Sequence, residues 1–149
     1  MPEIYVCADL HFNHKNIITY ENRPWPNRES MNQGLIANWN AVVKPEDTVY
    51  VLGDVGFCST TKLKELVGQL NGHKILIRGN HDRDRSLSKW VDIGFKDVHD
   101  WCLIGCMHQI VQLQHEPPEE KEEDIFLSRI PVSSRFPFLL VQLYQCYFY

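Results

Sequence analysis

No apolar run in these 149 residues approaches the roughly 18 needed for a membrane-spanning helix. Nor is there a basic, apolar leader: Met1-Pro2-Glu3-Ile4 enters a strand-like pattern at once. The expectation is a soluble, cytoplasmic protein without a membrane partner. Positive charge is not in excess. Lys and Arg number 15 against 19 Asp and Glu, a formal net charge of −4, which leaves no global basic footprint for nucleic acid. No Cys-x-x-Cys occurs. The five cysteines, Cys7, Cys58, Cys102, Cys106 and Cys146, are odd in number and irregularly spaced. They read as reduced structural thiols, not as a disulfide framework or a zinc knuckle. There is no internal repeat, and no histidine follows His115.

What is present is enough chain for one domain with a real core. Ile4 to Ala8 is a short apolar run that reads as a buried strand. Residues 13–22 are helix-compatible until Pro24 and Pro26. From Arg28 to Val43, apolar residues fall at Met31, Leu35, Ile36, Trp39, Val42 and Val43, the spacing of a helix with one buried face. Thr48 to Leu52 reads as a second strand and Ser59 to Leu70 as a second amphipathic helix with Asn71-Gly72 as its stop. Lys74 to Ile77 reads as a third strand. This alternation predicts an α/β unit with parallel strands. Residues 97–104 and 108–114 predict two further strands around Gly105. Residues 116–124 then hold six acids and one base, a solvated loop by composition.

Chemistry concentrates where those strands end. Asp9-Leu10-His11 follows the first, Gly53-Asp54 the second and Gly79-Asn80-His81-Asp82 the third. In open α/β sheets, ligands bind beyond the carboxyl ends of the strands. Asp9 and His11, two apart in extended backbone, would point the same way and grip one ion. The Asp54 carboxylate can bridge two cations, and Asn80 offers a neutral amide oxygen to the second. Gly53 and Gly79 let the backbone turn sharply. Two cations about 3.5–4 Å apart suit phosphoryl chemistry, and mixed Asp, His and Asn ligation favours Mn, Fe or Zn over Ca or Mg. His14 stands beside the first segment, placed to reach a substrate phosphate. Arg78, Arg83 and Arg85 flank the third and are candidates for the same task, with surface ion pairs as their alternative use. Taken singly, each of these residues has a bland reading as a strand-end cap or turn former. Their joint order argues for one site.

The pattern resembles the calcineurin-like metallophosphoesterase superfamily, whose signature runs Asp-x-His, Gly-Asp, Gly-Asn-His-Asp/Glu, a lone His, then Gly-His-x-His. The stretches from Asp9 to Ile18 and from Met31 to Asn40 look like its small phage and bacterial branch. The resemblance implies a sandwich of mixed β-sheets flanked by helices. It also implies hydrolysis of a phosphate mono- or diester through a water activated by two divalent metal ions (Mn, Fe, Zn or similar). Position by position, Asp9 and His11 would hold the first metal, Asp54 would bridge, and Asn80 and His115 would hold the second. His81 would donate a proton to the leaving oxygen, oriented by a carboxylate such as Asp82. His14 and Arg78 would contact substrate.

The last block of the signature is absent. Ser128-Arg129-Ile130 stands where it would be expected, so each metal is expected to lose one imidazole. The expectation is therefore a metallophosphoesterase domain over residues 1–127, incomplete, with an atypical aromatic-rich tail over 128–149 that leaves the second sheet incomplete or re-forms it. A frameshift or truncation near codon 128 would produce such a change of character. Activity is then expected to be impaired. Two other functions stay open: a non-catalytic, metal-binding remnant, and a nuclease-type phosphodiesterase, against which the missing basic patch counts.

Overall fold

The structure, a computed structural model, describes residues 1–106, 109–116, 141–143 and 146–147. His108, the acidic stretch beyond Glu116 and most of the aromatic tail lie outside these residues. Thirteen short elements follow in order. β1 is Ile4–Ala8, α1 Lys15–Tyr20, α2 Arg28–Val42, β2 Thr48–Leu52, α3 Thr60–Val67 and β3 His73–Ile77. A 3₁₀ turn at Asn80–Asp82 precedes α4 (Leu87–Ile93), β4 (Asp97–His99), β5 (Trp101–Cys106) and β6 (Gln109–Gln114). β7 (Val141–Leu143) and β8 (Cys146–Tyr147) come from the tail.

Two sheets stack. The first has the order β4-β3-β2-β1-β7, with β1 to β4 parallel and β7 antiparallel at the edge. The second is antiparallel, in the order β6-β5-β8. The architecture is an α/β sandwich of mixed sheets, as the family resemblance implies.

Period-two alternation along the parallel strands builds two cores. Tyr5, Cys7, Val49, Val51 and Leu76 face the helices, where they meet Ile17, Leu35, Trp39, Leu63, Leu66, Trp90 and Ile93. Val6, Tyr50 and Ile77 face the other way and pack against Ile104, Val111 and Leu113 of the second sheet. Each such side chain, fully buried, contributes roughly 1.5–3 kcal/mol of transfer free energy. Parallel strands buried on both faces thus appear in the sequence as continuous apolar runs.

Three local readings need correction. The stretch 97–104 is not one strand: the chain breaks at Asp100, so β4 joins the first sheet and β5 the second. Gly105 lies within β5, paired with Ile110, and not at a turn. The second amphipathic helix stops at Val67 with Gly68 as its C-cap, and the chain reaches β3 through tight turns ending at Gly72, whose φ is +80°. The tail contributes one strand to each sheet, which is how the second sheet acquires β8.

Candidate metal centre

β1, β2 and β3 run parallel, so the three motif segments leave the sheet at one end. Their loops are laced together by main-chain bonds. Asp9 N–H donates to the Gly53 carbonyl (3.2 Å), His11 N–H to that of Asp54 (2.9 Å) and Phe12 N–H to that of Val55 (2.9 Å). Asp9, His11 and Asp54 thereby offer ligand atoms that all lie within 4.8 Å of one another. His11 Nε2 stands 3.7 Å from Asp9 Oδ1 and 3.7 Å from Asp54 Oδ2.

The backbone that achieves this is not extended, contrary to the i, i+2 reading. Asp9 (φ 55°), His11 (φ 52°) and Asn13 (φ 62°) alternate into the left-handed region, and Asp54 (φ 52°) joins them. Such non-glycine conformations cost of order 1–3 kcal/mol each and persist where surrounding contacts over-determine them. Those contacts are present. The buried Arg23 donates from its two terminal nitrogens to the carbonyls of Asp9 (2.8 Å) and Leu10 (2.9 Å). Asn32 Oδ1 accepts from Asn13 N–H at 2.8 Å.

On the other side, Asp82 is the brace. Its carboxylate accepts the main-chain N–H groups of Asp54 (2.7 Å), Val55 (3.1 Å) and Gly79 (2.8 Å). Both oxygens are thus engaged with the two glycine turns and not with the His81 ring. Burial lifts the Asp82 carboxyl above its ordinary range, against the pull of those three donors. Arg23, Asn32 and this role of Asp82 have no motif signature.

The two glycines serve different purposes. Gly53 has φ +75°, which favours glycine. Gly79 has an ordinary φ of −82°. Its requirement is space, since a Cβ there would stand 2.6 Å from Asp54 Oδ1 and 3.0 Å from His115 Nε2. A Cβ on Gly53 would collide with His115 Nδ1.

His115, distant in sequence, reaches the same place. Its Nδ1 lies 2.8 Å from the Leu52 carbonyl, and a carbonyl only accepts, so Nδ1 carries the proton. Nε2 then presents its lone pair, 3.6 Å from Asp54 Oδ1. His11 Nδ1 meets His14 Nδ1 at 3.3 Å; with His11 as the donor of that pair, its Nε2 is left as a lone pair toward the carboxylates. Hydrogen bonding through Nδ1 is the usual way to fix a ligating imidazole. Burial, and then the neighbouring His11, push the His14 pKa down.

The remaining candidates sit around this centre. Asn80 and His81 are exposed and line an open cleft of about 480 Å³ together with Phe57, Cys58 and Arg85. The Phe57 ring stacks on His14 with centroids 4.3 Å apart and on His11 at 5.3 Å, and lies tilted to His81 at 5.1 Å. Sequence reasoning did not single out Phe57. Arg78 donates two bonds of 3.0 Å to the Asp100 carboxylate. Arg85 bonds the Cys58 carbonyl and lies over the Trp90 ring. Arg83 approaches Glu116 at 4.0 Å.

The donor set fits a divalent cation. Ligand atoms each about 2.1 Å from one ion stand about 3.4 Å apart at a tetrahedral angle. Separations of 3.6–3.7 Å between lone-pair nitrogens and carboxylate oxygens are too long for hydrogen bonds and match that span. Among the described residues, the cluster of acidic and imidazole ligands is the one triad of Asp9, His11 and Asp54.

Comparison with known proteins agrees with this geometry. The family profile described as calcineurin-like phosphoesterase matches residues 2–141. An uncharacterized protein of Methanocaldococcus jannaschii is 52% identical over 85 residues, covering 56% of this chain and 48% of that protein. The gene 66 protein of Mycobacterium phage L5 is 32% identical over 92 residues, covering 60% of this chain and 44% of that protein. The chain thus spans about half the length of the curated relatives it matches. A crystal structure of a protein of unknown function from Aquifex aeolicus superposes with a TM-score of 0.66 at 28% identity, covering 92% of this chain and 67% of that one. With the ligand triad at the ends of parallel strands and a profile match over nearly all of its length, the chain belongs to the calcineurin-like phosphoesterase family, in its small bacterial and phage-type branch.

Proposed function

We propose that this protein hydrolyses phosphate esters at a pair of divalent cations, with Asp9 and His11 holding one, Asn80 and His115 the other, and Asp54 between them. The observation that carries this reading is the placement of the Asp54 carboxylate. One oxygen faces His11 Nε2 and the other faces His115 Nε2, at 3.7 and 3.6 Å. His115 presents a lone pair, as does His11 when its Nδ1 donates to His14, and a lone pair would repel the carboxylate unless positive charge lay between.

Divalent cations bound there would neutralise phosphate oxygens and acidify a coordinated water. The chain's own residues supply the rest. His81, exposed at the cleft, would give a proton to the leaving oxygen. His14, held by His11 and Phe57, keeps Nε2 free for a phosphate oxygen. Asp82 acts through the main chain by fixing where Asp54 and Gly79 turn. Arg78 would reach a phosphate only by leaving Asp100.

The sequence lacks Gly-His-x-His, so turnover is expected to be weak, and the second reading is a family member that binds metal without catalysis. Purified protein with Mn²⁺ and both bis(p-nitrophenyl) phosphate and p-nitrophenyl phosphate decides between them. Mn²⁺-dependent release of nitrophenol that disappears in Asp54→Asn supports the enzyme. Calorimetric Mn²⁺ binding without turnover supports the second reading. Absence of both would sink the metal site.

A further inference from the structure

We propose that Arg23 and Asn32 are positioning residues that hold the Asp9–Asn13 loop in its ligand-presenting shape. In extended backbone, successive carbonyls point to opposite sides, and no single side chain reaches both. The left-handed residue at Asp9 turns the carbonyls of Asp9 and Leu10 toward one side. There the guanidinium of Arg23 meets both, one through each terminal nitrogen. The planar fork offers a separate nitrogen to each carbonyl in a fixed geometry, which the single nitrogen of a lysine on its flexible stem does not reproduce. Asn32, on α2, secures the far end of the loop by accepting Asn13 N–H.

Burial argues that these contacts are the reason for the residue. Arg23 is only 6% exposed, and among the described residues it has no carboxylate partner. Among the same residues its Nε has no hydrogen-bond partner. A buried cation outside any ion pair is expensive; the charges of Glu21 and Asp9 act on it only through space, and its acceptors are the two main-chain carbonyls and, weakly, the Met31 sulfur. Direct contact with a substrate is not its role, because both terminal nitrogens are engaged and the side chain is enclosed. The loop it grips carries Asp9 and His11, so a loosened grip should spread two metal ligands without removing either. The inference rests on the metal-site reading for its consequence, but not for the brace itself.

Arg23→Lys and Asn32→Ala test it by two readouts. The first is hydrogen exchange in metal-free protein. The His11 and Phe12 amides, bonded to the Asp54 and Val55 carbonyls, should exchange about tenfold faster or more in Arg23→Lys, and that of Asn13 likewise in Asn32→Ala. The amides of Val6 and Val51 should keep their rates. The second is Mn²⁺ affinity by calorimetry, expected to fall by about tenfold or more, the usual effect of losing a support behind a metal ligand. Loop exchange equal to wild type overturns the proposal. So does an equal acceleration at Val6 and Val51, which would mean general destabilisation. If Arg23→Lys does not fold, Asn32→Ala carries the exchange test alone. If wild-type protein binds no Mn²⁺, the phosphoesterase reading fails, and the exchange readout still decides the brace.

Discussion

The Asp82 carboxylate accepts the main-chain N–H of Asp54 at 2.7 Å across 28 residues of sequence. That single bond ties the end of β3 to the end of β2. Two more, from Val55 and Gly79, make Asp82 the joint on which the Asp54 carboxylate turns. All of it is buried, with Asp82 1% exposed. Removing the carboxylate would leave three buried amide donors unpaired, each worth about 1–3 kcal/mol. Asp82→Ala is therefore expected to lower the unfolding free energy by about 3 kcal/mol or more, and Asp82→Asn by less, since one acceptor oxygen remains. Urea denaturation measures both. Loss below about 1 kcal/mol in the alanine variant would contradict the brace.

Lys74 shows how a buried charge makes stability depend on pH. It is 8% exposed, and its ammonium donates to the carbonyls of Leu70 (2.7 Å) and Gly72 (3.0 Å). Burial pushes its pKa below the ordinary lysine value. Below the folded-state pKa the ammonium is charged in both states, and burial penalises the fold. Between the folded and unfolded pKa values the unfolded chain binds the extra proton, so stability rises with pH. Wild-type protein should thus gain on Lys74→Met as pH is raised from neutral toward about 10. Denaturation midpoints of the pair over that range measure it; a gap that does not move excludes the linkage.

The parts of the fold legible in the sequence are those set by local hydrophobic pattern. β1 and β2 fall where the apolar runs of Ile4–Ala8 and Thr48–Leu52 lie, and α2 where its stripe does. The helix at Leu87–Ile93 escaped notice, because only Trp90 and Ile93 of its seven residues are buried while Leu87 and Val91 face solvent. The site divides in the same way. Asp9, His11 and Asp54 are legible as residue types at strand ends, and His115 only through the family resemblance. Their left-handed backbone was not, nor was Arg23, which acts on carbonyls 13 and 14 positions upstream. Contacts from a side chain to distant main chain leave no periodic trace.

Cysteine chemistry follows from burial. Cys7 lies in the helix-side core, where burial and then the charge of Asp9 push its thiol far above the ordinary range. Burial lifts Cys102 to about 11. Thiolate is the reactive form, so both are expected to resist iodoacetamide at pH 8 in native protein and to react fully in urea. Peptide mapping by mass spectrometry reads the outcome. Native labelling of Cys7 at the rate of a free thiol would place it outside the core.

Gly79 offers a way to disable the centre without touching a ligand. Its φ of −82° and ψ of 176° suit any residue, so alanine carries no backbone penalty there. The added methyl would instead press on the Asp54 carboxylate at 2.6 Å, on Asp54 N at 2.9 Å and on His115 Nε2 at 3.0 Å. Two of these are groups that face each other across the proposed second cation position, and the third is the amide that Asp82 grips. One of them must move. Gly79→Ala is expected to weaken Mn²⁺ binding by about tenfold to a hundredfold, the scale seen when supports of a metal ligand are lost, and to destabilise the fold by about 1–3 kcal/mol through overpacking. Calorimetry and urea denaturation on the same preparation separate the two effects. Gly53→Ala should be worse on both counts, since left-handed backbone strain adds to its collision with His115. Wild-type Mn²⁺ affinity in Gly79→Ala would mean that Asp54 and His115 do not act together on a cation.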